Sequence, residues 1–218
     1  MNLALFDFDG TITSSDTWTP FMRSAVRPVR LLAGRVLLLP VVVGYRLGII
    51  SASWGRQVAV MVAFRGDDAA RVRRRGTAYA ADVLPSTLRP EALDRIAWHK
   101  AAGDEVVIVS GSLDVYLAPW CEAQGLLCIC STLEERAGRF TGRYTEGDCA
   151  GPEKVRRVRS KYDLDRYEVI YGYGDSLEDR ELLALAHRKF YRWSEIRDWT
   201  EVMAHGHPRA APGATRPE

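Results

Sequence analysis

The hydrophobic and polar positions of this chain follow two different patterns in turn. Five short apolar runs, each followed by glycine or polar residues, have the length and character of buried strands. These runs occupy residues 3–6, 105–110, 126–131, 167–173 and 189–192. The long stretch between the first and second runs has helical periodicity, and helical segments separate the later strands. Because strands that alternate with helices are typical of a parallel sheet, we predict an α/β protein with a helical insertion after its first strand.

Proline and glycine divide the insertion into several short helices, because both residues weaken or end a helix. The interruptions fall at Pro28, Gly34, Pro40, Gly44 and Gly48. We place a helical domain at residues 16–85 and a core domain at residues 1–15 and 86–203. Glycine favours a small hairpin at residues 138–144. The last residues, 204–218, are rich in proline, glycine and alanine, and we expect them to be disordered.

The composition is that of an ordinary globular protein and excludes few functions. The chain has 218 residues, 47% of them hydrophobic and 27% charged, with a formal net charge of +2. These values suit one medium-sized domain or a core with a smaller insertion. Its four cysteines form no CxxC pair, so we expect reduced thiols, no zinc site and a cytoplasmic location. The chain begins directly with a predicted core strand, so we expect no signal peptide, and we expect no nucleic-acid partner.

Two aspartates follow the first predicted strand. Asp7 and Asp9 stand two positions apart, and residues at that spacing in a strand point to the same side. Two carboxylates so close repel one another, which calls for a cation or a shared proton between them. A solvated, aspartate-rich turn is the alternative interpretation of these two residues alone.

Other polar residues follow the ends of later strands or begin later helices. Ser110 and Gly111 offer a hydroxyl and free amides at a predicted helix N-terminus, which suits a phosphate oxygen. Asp175 follows the fourth strand, Asp179 lies one turn beyond it, and Lys154 is near the start of a basic helix. Each residue alone has an ordinary explanation as a cap, a turn or a solvated charge. Ligands of open α/β sheets bind at the carboxyl ends of the strands, so together they favour one phosphate-and-metal site.

Four motifs in this order resemble those of the haloacid dehalogenase (HAD) superfamily. They are Asp7-Phe8-Asp9-Gly10-Thr11, then Val109-Ser110-Gly111-Ser112, then Lys154, then Gly174-Asp175-Ser176-Leu177-Glu178-Asp179. The resemblance covers nearly the whole chain, and it implies a Rossmann-like three-layer core with a parallel sheet and a helical C1-type cap after the first strand. The position of the cap and the hairpin before Lys154 are similar to the subfamily IB branch that contains phosphoserine phosphatases.

The resemblance also implies roles for the catalytic residues. Asp7 is expected to attack phosphorus and form an aspartyl-phosphate intermediate. Asp9 is expected to protonate the leaving oxygen and then to deprotonate the hydrolytic water. Lys154 is expected to neutralise charge on the phosphate and the nucleophile. Haloalkanoate dehalogenation is disfavoured, because dehalogenase relatives lack an aspartate at the position of Asp9.

The same resemblance implies an oxygen-rich Mg²⁺ site and a phosphate-binding site. The metal ligands are expected to be the Asp7 carboxylate, the Asp9 backbone carbonyl and the Asp175 carboxylate. Asp179 is expected to support the metal or Lys154 from behind, or to bind the metal through water. The expected phosphate-binding residues are Thr11, Ser110 and Gly111.

The predicted cap has an unusual distribution of charge. Between Asp16 and Asp67 the chain has no acidic residue, and residues 31–50 form its most apolar stretch. The whole acid-free segment, residues 17–66, contains seven arginines: Arg23, Arg27, Arg30, Arg35, Arg46, Arg56 and Arg65. The apolar stretch is too interrupted for a transmembrane helix. Two interpretations stay open: contact with anionic lipid headgroups, or helices that pack on one another or on a partner subunit.

The cap also bears on the choice of substrate. Phosphoserine phosphatases hold the substrate amine with a cap glutamate, and the corresponding position here is Asp16. An apolar, arginine-rich cap suits an amphiphilic or multiply anionic phosphomonoester, with Arg56 or Arg65 as candidate contacts. A second resemblance, to phosphatidylglycerophosphatase C-type enzymes, points the same way. It rests on Gly151-Pro152-Glu153-Lys154, on Gly172-Tyr173 and on the apolar basic cap.

We therefore expect a Mg²⁺-dependent phosphomonoester hydrolase that acts on a phosphorylated small molecule or a lipid such as phosphatidylglycerophosphate. Phosphoserine or another small metabolite is the alternative substrate. A phosphotransferase and a non-catalytic phosphate-binding protein are alternatives of another class. The expected location is the cytoplasm, with peripheral contact at the inner face of the membrane as the open question. The sequence predicts no oligomeric state.

Overall fold

The computed structural model describes residues 1–204, and its main sheet has six strands. Their order is β3-β2-β1-β6-β7-β8, and all neighbours are parallel except β7 and β8. The strands are β1 (Leu3–Phe6), β2 (Glu105–Leu113), β3 (Leu127–Ser131), β6 (Ile170–Gly174), β7 (Arg188–Tyr191) and β8 (Ser194–Ile196). This largely parallel sheet confirms the predicted α/β class.

Helices cover both faces of the sheet. Since successive side chains of a strand point to opposite faces, Ala4 and Phe6 belong to one apolar cluster, and Leu3 and Leu5 belong to another. The first cluster includes residues of α6 (Pro90–Ala101) and α7 (Asp114–Gln124), and the second includes residues of α8 (Pro152–Lys161) and α9 (Arg180–Ala184). The core therefore has the three layers that the sequence predicts.

Five helices lie between β1 and β2, inside the segment predicted as a cap. They are α1 (Trp18–Ala25), α2 (Pro28–Leu37), α3 (Leu39–Arg46), α4 (Ala52–Phe64) and α5 (Ala69–Asp82). Pro28 begins α2, and Pro40 lies in the first turn of α3, where a missing amide proton costs little. Gly34 and Gly44, expected to interrupt helices, lie inside them and are buried. A Cβ at Gly44 would lie 2.5 Å from the Ile50 side chain, so this glycine permits close packing.

The helices α2 and α3 bear on the membrane question. Within residues 1–204, no single helix has the length and apolar composition needed to cross a membrane. Within the same residues, only α2 and α3 have the required length and apolar composition when they are counted as one pair, and this pair is bent by 49°.

The hairpin is present, but its turn differs from the prediction. It pairs β4 (Leu133–Arg136) with β5 (Arg139–Tyr144), whereas the sequence analysis placed the whole hairpin within residues 138–144. Ala137 and Gly138 form the turn with φ values of 49° and 73°, as two-residue hairpin turns require. Gly142 lies inside β5 against α4, where a Cβ would be 2.9 Å from the Arg65 Cβ.

Several element boundaries also differ. The second strand continues to Leu113 instead of ending at Ser110, because the chain keeps its extended pairing with β3. The helix predicted to run through His187 consists of a 3-10 turn and the short α9, which ends at Ala184. The sequence analysis missed β8 and α10 (Trp199–Ala204). The predicted disordered tail lies outside the described residues, apart from Ala204, which closes α10.

Candidate active site

The candidate site lies at the carboxyl ends of β1, β2 and β6, where an open α/β sheet binds its ligands. A cavity of about 920 Å³ opens there between the sheet and helices α1, α3 and α4. Its polar floor consists of Asp7, Asp9, Ser110, Gly111, Lys154 and Asp175. The predicted residues from four separate motifs therefore meet in one place.

Asp7 is a buried carboxylate with a cation beside it. One oxygen, Oδ1, accepts a hydrogen bond of 2.6 Å from Lys154 Nζ, and the other accepts one of 3.3 Å from the Thr11 hydroxyl. Burial, with the charge of Asp179, raises the pKa of Asp7 well above its ordinary value, and Lys154 acts in the opposite direction. Asp7 thus needs positive charge nearby to act as an ionised nucleophile.

Lys154 connects two carboxylates. Its ammonium lies 2.6 Å from Oδ1 of Asp7 and 2.6 Å from Oδ1 of Asp179, and the side chain is buried. Burial alone would lower the pKa of Lys154, but the two carboxylates outweigh it and raise the pKa above the ordinary value. Lys154 is therefore a permanent positive charge on the floor of the cavity.

Asp9 is held by residues that the sequence analysis missed. Its Oδ1 accepts hydrogen bonds from the amide and hydroxyl of Thr17, at 2.7 and 2.5 Å, and its Oδ2 accepts one from the hydroxyl of Ser112. Tyr116 in turn donates to the Ser112 hydroxyl at 2.7 Å. Burial raises the pKa of Asp9 in spite of these hydrogen bonds, which favours a carboxylic acid that can donate a proton.

The acidic residues of the site fit a hard cation. Three aspartates each offer one carboxylate oxygen, and these three atoms all lie within 4.8 Å of one another. The residues are Asp7, Asp175 and Asp179. Burial, with Asp179, raises the pKa of Asp175 from 3.8 to about 6. Gly10 has a φ of 80°, and a Cβ there would lie 2.3 Å from Asp175 Oδ2, so glycine is needed for this approach. An oxygen-only donor set with excess negative charge suits Mg²⁺.

Asp179 is the least available of these three ligands. Besides its bond to Lys154, its Oδ2 accepts hydrogen bonds from the amides of Asp175 and Ser176. Asp179 is fully buried and does not line the cavity. Its contact with Lys154 is present, and its expected role behind the metal or Lys154, or as a ligand through water, stays a prediction.

The phosphate-binding candidates occupy different positions. Ser110 is buried and lines the cavity beside Gly111, but neither is at a helix N-terminus, because β2 continues to Leu113 and α7 begins at Asp114. The expectation of helix-terminal amides was therefore wrong. Thr11 donates to Asp7 and does not line the cavity, so it supports Asp7 instead of facing a ligand.

Of the three cap candidates, Asp16 and Arg56 line the cavity and have structural partners, whereas Arg65 does not line it. Asp16 is exposed and accepts the amides of Trp18 and Thr19 at the start of α1. Arg56 donates to Asp148 at 2.8 Å and to Glu178 at 3.0 Å, which ties α4 to the core. This pairing could not be predicted from the sequence, because the two partners lie 92 and 122 residues from Arg56.

The cap supplies an apolar wall to the same cavity. Its lining side chains come from α1, α3 and α4 and from the link between α2 and α3. They include Trp18, Leu38, Val41, Val42, Tyr45 and Ala59. The apolar character of residues 31–50 was the signal for this wall, but its contact with the cavity depends on how the helices pack. The cavity thus combines a charged floor with an apolar wall.

Comparison with known proteins gives a consistent result. Residues 4–184 match the family model of haloacid dehalogenase-like hydrolases. Among curated relatives, protein CicA of Caulobacter vibrioides is 31% identical over 194 residues, which cover 87% of this chain and 85% of that protein. Histidinol-phosphatase of Neisseria meningitidis is 25% identical, with coverage of 84% and 86%.

Solved structures show the same fold. A protein of unknown function from Bordetella pertussis has a TM-score of 0.76 and 26% identity, with coverage of 87% of this chain and 89% of that one. A phosphoserine phosphatase, solved as an analogue of its phospho-aspartyl intermediate, has a TM-score of 0.60 and 18% identity, with coverage of 94% and 98%. At that identity the second likeness shows the fold alone.

Proposed function

Since this chain belongs to the haloacid dehalogenase-like hydrolase family and is one of its phosphatases, we propose that it hydrolyses phosphomonoesters through an aspartyl-phosphate on Asp7. The observation that carries the proposal is the contact of Lys154 with Asp7 on the floor of the cavity. A buried carboxylate beside a fixed cation, open to a ligand, is the arrangement that an oxygen nucleophile needs at a phosphate group.

The chemistry follows from the positions of two aspartates. An oxygen of Asp7 attacks phosphorus, and the bond from phosphorus to the leaving oxygen breaks while Asp9 donates a proton to that oxygen. In the second step Asp9 takes a proton from water, which attacks phosphorus and releases inorganic phosphate and the free Asp7 carboxylate. The raised pKa of Asp9 suits the first step, and Lys154 offsets the charge that gathers on the phosphoryl group.

The residues proposed to hold Mg²⁺ are Asp7, Asp175 and the backbone carbonyl of Asp9. When bound, the ion offsets the repulsion between the Asp7 carboxylate and an anionic phosphate group. Ser110 and Gly111 line the same floor and are proposed to bind the phosphoryl oxygens.

An amphiphilic phosphomonoester is the proposed substrate class, and the apolar wall of the cavity supports it. Trp18, Val41 and Tyr45 face the same space as the catalytic aspartates. An alkyl or aromatic leaving group there would be removed from water, and each buried CH₂ contributes about 0.8 kcal/mol. A small amine-bearing metabolite such as phosphoserine is the second candidate. It is favoured by the carboxylate of Asp16 at the cavity.

The test is hydrolysis of para-nitrophenyl phosphate by the full chain with and without Mg²⁺, with Asp7→Asn as the control. We expect Mg²⁺-dependent turnover and, after acid quench, a phosphate adduct on Asp7 by mass spectrometry. Activity that survives Asp7→Asn would disprove the mechanism. No turnover of any phosphomonoester by the folded protein would favour a phosphate-binding protein, and transfer to added alcohols would favour a phosphotransferase.

A panel of substrates then separates the two candidate classes. It contains phosphoserine, sugar phosphates, lysophosphatidic acid and phosphatidylglycerophosphate. The proposal expects the highest kcat/KM for the amphiphilic members, and a preference for phosphoserine would favour the second candidate.

A further inference from the structure

The outer faces of α2 and α3 form an exposed apolar surface, which we call the cap face. On α2, Val29, Leu32 and Val36 recur at helical spacing and are 80%, 67% and 73% exposed, so they lie on one side of the helix. On and after α3 the exposed residues are Leu39, Val42, Val43, Tyr45, Leu47 and Ile49. So many large apolar side chains in one continuous segment indicate an interaction surface.

The opposite sides of these helices already have partners. Gly34 and Gly44 are buried, and Val41 on α3 lies near Gly55 of α4. Arg30 of α2 donates to the backbone carbonyl of Ala63 in α4 at 2.9 Å. The helices are therefore fixed on α4 by their inner sides. No element among residues 1–204 is seen to cover their outer sides, where the large side chains stay exposed.

The charge on this segment identifies the kind of partner. Residues 17–66 contain seven arginines and no acidic residue. Arg35 at the end of α2 and Arg46 at the end of α3 are exposed and form no ion pair within residues 1–204. A second copy of this chain would bring these arginines against the same positive charges. The remaining residues of the chain, 205–218, contain no large apolar side chain that could cover the surface.

We propose that the cap face binds the surface of an anionic lipid bilayer, with its apolar side chains in the interface and Arg35 and Arg46 at the headgroups. Amphipathic helices bind bilayers in this way, through apolar contact below and basic residues toward anionic lipid. Val42 and Tyr45 belong to the cap face and also line the active-site cavity. The proposed membrane contact therefore borders the cavity mouth, and it stands independently of the proposed chemistry.

The test is flotation of the full-length chain with vesicles of phosphatidylcholine alone and with vesicles that also contain phosphatidylglycerol. We expect binding to the anionic vesicles at low salt and weaker binding at high salt, because salt screens exposed charges. Each of Arg35→Gln and Arg46→Gln should weaken binding about fivefold, since one basic residue near an anionic surface contributes about 1 kcal/mol. Arg159→Gln, an exposed arginine on α8, is the matched control.

Separate variants test the apolar side chains of the cap face. Leu32→Glu combined with Val36→Glu should weaken vesicle binding at least about tenfold, whereas Met203→Glu, at a side chain 71% exposed on α10, should leave it unchanged. Hydrolysis of soluble para-nitrophenyl phosphate, measured on the same samples, should not change, because Leu32 and Val36 do not line the cavity. If wild type binds no anionic vesicles but hydrolyses this substrate, the membrane proposal is wrong and the catalytic one is retained. A dimer in light scattering that these variants dissociate, without vesicle binding, would assign the cap face to a second copy.

Discussion

The ammonium nitrogen of Lys154 lies 2.6 Å from Oδ1 of Asp7, at a place where both side chains are buried. The same nitrogen contacts Asp179 at an equal distance. One cation thus compensates two buried carboxylates, and its removal leaves both without the positive charge of Lys154. We therefore expect the stability of the fold and the reactivity of the proposed nucleophile, Asp7, to depend on the same side chain.

Lys154→Met should destabilise the fold and abolish phosphatase activity. The loss of a buried charge partner typically costs 3–5 kcal/mol, and urea unfolding measures it. Lys154→Met combined with Asp179→Asn removes one of the two uncompensated charges, so it should recover part of the stability and none of the activity. If the single variant unfolds like wild type, the pairing has no structural role.

Asp9→Asn should slow substrates with poor leaving groups most. A general acid typically increases the rate 10²- to 10⁴-fold. The alkoxide that leaves an alkyl phosphate depends on protonation by this acid more than the nitrophenolate of para-nitrophenyl phosphate does. Rapid-quench kinetics should also show accumulation of the phosphoenzyme, because Asp9 also activates the water. An equal loss for both substrates, without accumulation, would contradict the assigned role.

Asp175 makes the metal-free protein less stable as pH rises. Its pKa is about 6 in the folded protein against an ordinary value of 3.8, so ionisation is harder in the folded state than in the unfolded chain. The stability contributed by its protonated form is complete below pH 3.8 and is lost as pH rises through about 6. The maximal effect is about 3 kcal/mol, and partial exposure reduces it.

Asp175→Asn should therefore stabilise the protein in EDTA above pH 6 and change little at pH 4, as chemical unfolding at the two pH values can measure. With Mg²⁺ the order should reverse at neutral pH, because wild type gains stability from the bound ion and the variant does not. Stabilisation by Mg²⁺ that is equal in both proteins would exclude Asp175 as a ligand.

A tryptophan at the cavity wall should weaken the activity toward a substrate whose apolar group contacts that wall. Val42 and Val43 are neighbours on α3 with similar exposure, 44% and 47%, but only Val42 lines the cavity. Val42→Trp should reduce kcat/KM for a soluble short-chain alkyl phosphate about tenfold, because the larger ring occupies space that the alkyl chain would fill. The loss of one methylene contact in such a pocket is worth about 1–3 kcal/mol. Val43→Trp is the control and should behave like wild type. Equal kinetics for the two variants would show that the apolar wall does not contribute to substrate binding.

Arg56→Gln should loosen the contact between α4 and the core. Asp148, the partner of Arg56, is buried, and a buried acceptor without its charged donor costs about 1–3 kcal/mol. Hydrogen exchange in α4 should become faster, with a smaller change in the core strands. Arg65→Gln, at the end of the same helix and without an ion pair within residues 1–204, is the control. Unchanged exchange in α4 would show that Arg56 is available for a ligand.

The sequence could predict that the residues of the cavity floor lie together, because strand ends are local features. Asp7, Ser110 and Asp175 follow apolar runs, and a parallel sheet brings such ends to one edge. The contacts that hold Asp9 could not be predicted in this way. Thr17 and Ser112 reach it from the cap and from an unexpected continuation of β2, and both depend on tertiary packing.

In the cap, too, the sequence predicted local features but not those that depend on how the helices pack. Helical periodicity and proline positions predicted short helices, since Pro28 and Pro40 act locally. Gly34 and Gly44 have the same local propensity whether they end a helix or lie within one. Their role in close packing on neighbouring residues depends on the folded arrangement. Arg56 was assigned to substrate for a similar reason, because its partners Asp148 and Glu178 are distant in sequence.

The hydrogen bonds between Thr17 and Asp9 connect the residue proposed to transfer protons to the first helix of the cap. Thr17 is the residue before α1, and it donates two of the hydrogen bonds that Asp9 accepts. A displacement that carried Thr17 away from β1 would break both of them and leave Asp9 with the hydrogen bond from Ser112. In the proposed mechanism, the orientation of Asp9 during proton transfer therefore depends on the position of α1, which also lines the cavity that receives the ligand.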